Sequence, residues 1–252
     1  MIMGDIMDIL ISFFSARSKT FFRMFSFTHI LTLFIIVLTI ILFILIIRNT
    51  NEKTKRCFQI ILGIYGLFLQ FIYMFWLIFN NNFTIKESLP INICSVSLIL
   101  VFFLFITENK YIFNILYFWG IIGNFYALLF PNIIQNFPHF RFLEFFTAHG
   151  LIILCVFYFL FIKKYIITFK EMIVSYLITL GYLFCVFIIN FILKSNYLYL
   201  MKKPHFNSFF DLFGNFYYLG LLAGVLFLYI LLYMPFYIKT KFNNNTVSEE
   251  NI

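Results

Sequence analysis

The chain has 252 residues, 63% of them hydrophobic, 23% aromatic and only 11% charged, with a mean hydropathy of +0.98. Soluble domains run near a quarter charged and about half apolar, so this composition excludes one and makes lipid the solvent. The net charge of +8 would point to nucleic acid in a soluble protein; here the Lys and Arg flank apolar runs, where they anchor and orient helices, and no nucleic-acid partner is expected.

Hydrocarbon about 30 Å thick needs about 20 helical residues per crossing, and seven segments meet that need. The fold class is therefore all-α, a polytopic membrane protein with seven transmembrane helices. Residues 1–26 lack a signal-peptide layout, because Asp5 and Asp8 precede the apolar stretch while Arg17, Lys19 and Arg23 follow it; they read as an interfacial segment. The spans run from about Phe27 to Ile47, Cys57 to Phe79, Leu89 to Ile106, Tyr111 to Phe130, Phe145 to Ile162, Met172 to Leu193 and Phe216 to Ile238. Ser88 is placed to cap the third, with Pro90 in its first turn. The transmembrane domain thus covers 27–238, and 239–252 form a polar, flexible tail.

Ten Lys or Arg fall on the side of the C-terminus and eight on the side of the N-terminus. The positive-inside rule leans towards a multi-pass protein of the cell membrane with its C-terminus cytoplasmic and its N-terminus outside. Cys57, Cys94, Cys155 and Cys185 lie in apolar segments without a CxxC pair, so neither a disulfide framework nor a zinc site is expected. No cofactor, metal or soluble partner is expected either; membrane lipids are the partners, and the oligomeric state is open.

With seven crossings, residues early in odd-numbered helices and late in even-numbered ones lie at similar depth. That parity gathers His29, Asn92, Cys94, Asn124, His149 and Asn190 into one layer. Polar groups in hydrocarbon face the bundle interior and mark candidate sites, although Asn and His also serve as plain interhelical hydrogen-bonding groups. Cys94 and His149 are the pair that can carry chemistry: both lie about one turn inside parallel helices, which permits a nucleophile with its base. A buried small Cys and a hydrogen-bonded His are the alternative. Asn92, Asn124 and Asn190 are candidate donors to an oxyanion.

The two longest interior loops flank this layer. QNFPHFRFLE (135–144) sets His139 and Arg141 among aromatics, and SNYLYLMKKP (195–204) holds two Tyr and a Lys pair. Such segments suit the headgroup level, and Arg141, Lys202 and Lys203 can bind a lipid phosphate; interface anchoring is the alternative. Asp211 neutralises one of these cations or caps the last helix.

The ordered set LPINIC (89–94), YFWGIIGNFYALLFP (117–131), FPHFRFLEFFTAHG (137–150), NYLYLMKKP (196–204) and the Asp211 region resembles the YwaF-type bacterial integral membrane proteins, which are related to eukaryotic transmembrane protein 164. The resemblance spans roughly residues 89–236. It implies a seven-helix membrane fold and, through the eukaryotic branch, a cysteine-centred acyltransferase that moves a fatty acyl chain from a phospholipid to a lysophospholipid. By motif order, Cys94 matches the nucleophile and His149 the base; His139, Arg141, Asn196, Tyr197, Lys202 and Asp211 fall in its loop motifs as substrate-binding candidates. The eukaryotic cysteine is followed directly by a His, whereas Ser95 follows Cys94. An uncoupled transporter and a non-catalytic scaffold are the rival readings. No acidic or basic residue lies deep in any span, which removes the usual ion relay from the first.

Overall fold

In hydrocarbon a backbone N–H or C=O has no partner but the chain itself, so a spanning segment closes its hydrogen bonds within a helix. The computed structural model describes residues 7, 11–16, 20–203, 214 and 217–249. Among them are seven long α-helices: α1 (Phe27–Ile47), α2 (Glu52–Phe79), α3 (Ile93–Thr107), α4 (Lys110–Leu129), α5 (Phe140–Phe161), α6 (Phe169–Leu193) and α7 (Tyr217–Glu249), with a short 3-10 turn at Tyr197–Tyr199. Six are long and apolar enough to cross a membrane, while α3, at 15 residues, is shorter.

Capping groups set the boundaries, and they move several expected ones. Asn51 accepts from the Thr54 amide at 2.8 Å and starts α2 five residues before Cys57. His139 accepts from the Arg141 amide at 3.0 Å through Nδ1, so FRFLE belongs to α5 rather than to a loop. Thr168 and Glu171 form a capping box that starts α6 at Phe169. The helical backbone of α7 continues past Ile238 to Glu249, because residues 239–249 contain neither Gly nor Pro to stop it. The expected start of α3 at Leu89 is corrected in the other direction. Ser88 accepts from the Thr84 amide at 3.0 Å in a turn of its own, the Ile91 amide bonds the Leu89 carbonyl at 2.8 Å, and the helix starts only at Ile93, after Asn92.

The described chain divides into two compact units, 1–164 and 165–252. In the first, α5 is the hub: it packs against α1, α2, α3 and α4 and is the most thoroughly buried of the spans. Glycines allow close approach. A Cβ on Gly66 would sit 3.5 Å from the Leu98 carbonyl oxygen and 3.5 Å from Leu151 Cδ2, so α2 lies against α3 and α5 at one level. A Cβ on Gly120 would meet Val156 Cγ2 at 2.9 Å and Ile152 Cγ2 at 3.2 Å, which fixes α4 on α5.

The segment before α1 is strapped to this unit. Trp76 Nε1 donates to the Phe14 carbonyl at 2.7 Å, His139 Nε2 to the Ser15 carbonyl at 2.7 Å and Gln135 Nε2 to the Ala16 carbonyl at 3.0 Å, while Phe21 and Gln135 form an antiparallel bridge. In the second unit α6 packs on α7, where the buried Thr179 and Tyr229 hydroxyls are 2.7 Å apart.

A candidate functional site among helices α2 to α5

Three contacts set the level of the polar layer. His29 Nε2 donates to the Leu128 carbonyl at 2.9 Å, its ring lies 5.6 Å from that of Phe146, and a Cβ on Gly123 would touch Ile93 Cγ2 at 3.4 Å. The starts of α1, α3 and α5 and the end of α4 therefore share one end of the unit, as parity requires.

On α3, Cys94 stands one turn before Leu98 and shares a stripe with Val101 and Phe105 at i+7 and i+11. Phe105 is fully buried, with its ring 5.7 Å from both Tyr158 and Phe159 of α5. That stripe turns Cys94 towards α5, where it is half-buried. On α5, His149, Ile152 and Val156 form an i, i+3, i+7 stripe, and the last two receive Gly120 of α4. One turn from Gly120, in the same direction as the step from Ile152 to His149, lies Asn124. Since α3, α4 and α5 pack pairwise on one another, Cys94, Asn124 and His149 lie at one level of three mutually packed helices.

The imidazole of His149 has a defined tautomer. Nδ1 lies 2.7 Å from the Phe145 carbonyl, a pure acceptor, so Nδ1 carries the proton and Nε2 presents a lone pair. Among the described residues Nε2 has no hydrogen-bond partner. The ring lies against Phe145 at a tilt of 33°, with centroids 4.1 Å apart. Beyond Phe145 lies Arg141, whose guanidinium sits 4.0 Å from the Tyr73 ring centroid and 5.3 Å from that of Phe145 and pairs with the buried carboxylate of Glu144. Arg141 thus meets an internal counter-ion and aromatic faces. His139 likewise has both ring nitrogens engaged, one capping α5 and one holding Ser15.

The carboxamides divide. Asn92 is half-buried at the N-cap of α3, and its side chain makes no capping bond. Asn124 is fully buried; its Nδ2 reaches the Trp119 carbonyl at 3.4 Å and its Oδ1 has no partner among the described residues. In the second unit Asn190 is occupied with its own loop, accepting from Ser195 Oγ at 2.7 Å and the Tyr197 amide at 2.8 Å and donating to the Tyr197 carbonyl at 2.9 Å. Asn196 folds the next turn, accepting from the Met201 and Lys202 amides and donating to the Lys202 carbonyl. Tyr197 is buried and Lys202 exposed. Asp211 lies outside the described residues.

Three side chains absent from the expected site belong to this neighbourhood. Glu144 is the counter-ion of Arg141. Ser97, one turn after Cys94, is fully buried with an unpartnered Oγ. Gln70 of α2 is only 5% exposed and makes no hydrogen bond among the described residues. The signal for Gln70 was present, since it is the lone amide in the apolar run from Ile60 to Phe79. Among the described residues no group of three His, Cys, Asp or Glu is placed to hold a metal.

The opposite end of the unit is a charge hub around Glu108, which caps α3 just beyond its last residue. Glu108 accepts from Lys163 at 2.7 Å and from Gln59 at 2.9 Å, and Arg56 donates to the Phe105 and Ile106 carbonyls at 2.8 Å. Burial pushes the Glu108 carboxyl up, but the hydrogen bonds from Lys163 and Gln59 and the charges of Lys163 and Arg56 hold it below its ordinary value. This hub fixes the C-terminal end of α3. At 1.5 Å per residue the helix extends about 22 Å, so its N-terminus, with Cys94, stops short of a full crossing.

Compared with known families, residues 24–234 match the family described as the TMEM164 family. No curated protein and no solved structure matches the chain.

Proposed function

The chain belongs to the TMEM164 family, and from that premise we propose that this multi-pass membrane protein is an acyltransferase of the cell membrane, with Cys94 as nucleophile and His149 as base. The observation that carries the proposal is the His149 tautomer: a ring anchored through Nδ1–H on the Phe145 carbonyl offers Nε2 as proton acceptor, at the level of Cys94 on a helix packed against α5. Nε2 takes the thiol proton, and sulfur attacks the ester carbonyl of a membrane phospholipid. As the thioester forms, the ester C–O bond breaks and the departing lysolipid oxygen takes the proton from Nε2. A hydroxyl of a second lysolipid then gives its proton to Nε2 and attacks the thioester, and Cys94 leaves and is reprotonated.

The start of α3 supports the same chemistry. With no side chain capping it, the first-turn amides and the helix dipole favour negative charge beside Cys94. Asn92 joins them as a donor. Arg141 is matched by Glu144 and is committed to that pair. The test is purified protein in liposomes of phosphatidylcholine with a lysophospholipid, comparing wild type, Cys94→Ser and His149→Ala by lipid mass spectrometry. Acyl redistribution by the wild type and its loss in both variants is the expected result; equal redistribution in all three overturns the proposal.

A further inference from the structure

Gln70 has a burial and a position that helix packing alone does not account for. The residue as a whole is only 5% exposed, its amide makes no hydrogen bond among the described residues, and in a membrane interior water does not supply the missing partner. Its level follows from the helix register. Gly63 of α2 faces Phe102 and Phe105 of α3, and Gly66 faces Leu98 and Leu151; three residues forward on α2 correspond to four or more backward on α3, so the two helices run antiparallel. Four residues beyond Gly66 on α2 is Gln70, and four before Leu98 on α3 is Cys94. Tyr73, three residues further along, lies under Arg141. The stripe Gly63, Gly66, Gln70, Tyr73 is the face that α2 gives to α3 and α5, and Gln70 is its polar member at the depth of Cys94. Unlike Ser97 Oγ and Asn124 Oδ1, its amide is not sealed from the surface.

We propose that the Gln70 side-chain amide donates a hydrogen bond to the acyl carbonyl oxygen of an ester or thioester bound at Cys94. This rests on the acyl-transfer reading above and adds a residue to it. When the Cys94 sulfur bonds the carbonyl carbon, the C=O π pair moves onto oxygen, and Gln70 Nε2–H meets that negative charge. When the pair returns, the bond to the leaving oxygen or sulfur breaks and the amide is released unchanged. Gln70 Oε1 remains free to accept from the hydroxyl of the incoming lipid.

The experiment separates reactions that build an oxyanion from one that does not. Purified full-length protein is treated with the p-nitrophenyl ester of a medium-chain fatty acid, and in parallel with iodoacetamide, which alkylates a thiolate without forming an oxyanion; modification of Cys94 is followed by peptide mass spectrometry. Gln70→Met, which keeps length and apolar contact, is expected to slow acylation about 100-fold or more, the loss found on deleting one oxyanion donor, and to leave alkylation within about twofold. Gln70→Leu removes the donor and keeps an apolar side chain of similar volume, giving the same pattern where the Met variant does not fold. Acylation of Cys94 at equal rates in wild type and the folded variant overturns this inference alone. No acylation of Cys94 in the wild type overturns the acyl-transfer reading and this inference with it.

Discussion

Replacing Gly120 with Ala tests the α4–α5 contact that aligns Asn124 with His149. Two effects oppose each other. Removing a glycine from a helix interior stabilises the helix by about 1 kcal/mol. The new methyl, however, would stand 2.9 Å from Val156 Cγ2 and 3.2 Å from Ile152 Cγ2. Both neighbours are β-branched, and in a helix such side chains have one dominant χ1 rotamer, so neither methyl can swing away. The helices must separate instead, and overpacking of this kind costs about 1–3 kcal/mol. The net expectation is a loss of about 1 kcal/mol. Gly181 of α6 supplies the control, because a Cβ there meets nothing within 4 Å and only the gain of about 1 kcal/mol applies. The two variants should differ by about 2 kcal/mol, roughly thirtyfold in the folded-to-unfolded ratio. Reversible unfolding in mixed detergent micelles, titrated with dodecyl sulfate, measures that ratio. A Gly120→Ala protein as stable as Gly181→Ala would refute the contact.

Other parts of the molecule give independent expectations. The folded-state carboxyl of Glu108 lies below its ordinary value, so its contribution is present above the unfolded carboxylate value of about 4.3 and is lost as pH falls through the folded one; Glu108→Gln should be less stable at neutral pH and show a flatter fall on acidification, read from melting temperature against pH. Asn190→Ala removes the acceptor of Ser195 Oγ and of the Tyr197 amide, and one of two donors to the Tyr197 carbonyl, which keeps the Leu200 amide at 3.3 Å; at about 1 kcal/mol for each hydrogen bond lost, it should raise hydrogen exchange and protease cleavage across 194–203. Trp76→Phe keeps an aromatic ring in the cluster with Leu77 and Phe140 but removes the shorter of two donors to the Phe14 carbonyl, leaving Asn80 Nδ2 at 3.1 Å. Faster amide exchange across 11–16 with an unchanged α5 is expected, and equal protection would show that the strap does not depend on that bond.

The helix order was legible because hydrocarbon thickness fixes span length; six of the seven apolar helices reach it and α3 falls short. The start of α3 was not, since Ser88 and Pro90 carry the signals of a helix N-terminus while the local turns at Thr84 and Leu89 take the groups that would have begun it. The site was legible to the extent that parity governs depth, which aligned His29, Cys94, Asn124 and His149. Depth says nothing of how a polar group is occupied. His29, His139 and Asn190 each sit near a helix end, where backbone groups lack partners, and each is bound to such a group.

A polar residue near a helix terminus has the same sequence signature whether it caps, ties a loop or faces a substrate. One far inside a helix has fewer options, because the backbone around it is already paired. Gln70 stands nine residues before the end of α2, beyond reach of any terminus, so its amide must find another helix, a ligand or nothing. Among the described residues it has found no other helix. The physical weight of a polar residue in a span therefore rises with its distance from the helix end, and by that measure Gln70 and His149 outrank Asn190 and His139. Parity assigns the depth at which chemistry can gather, and distance from a cap separates the groups left over for it from those already committed to the fold.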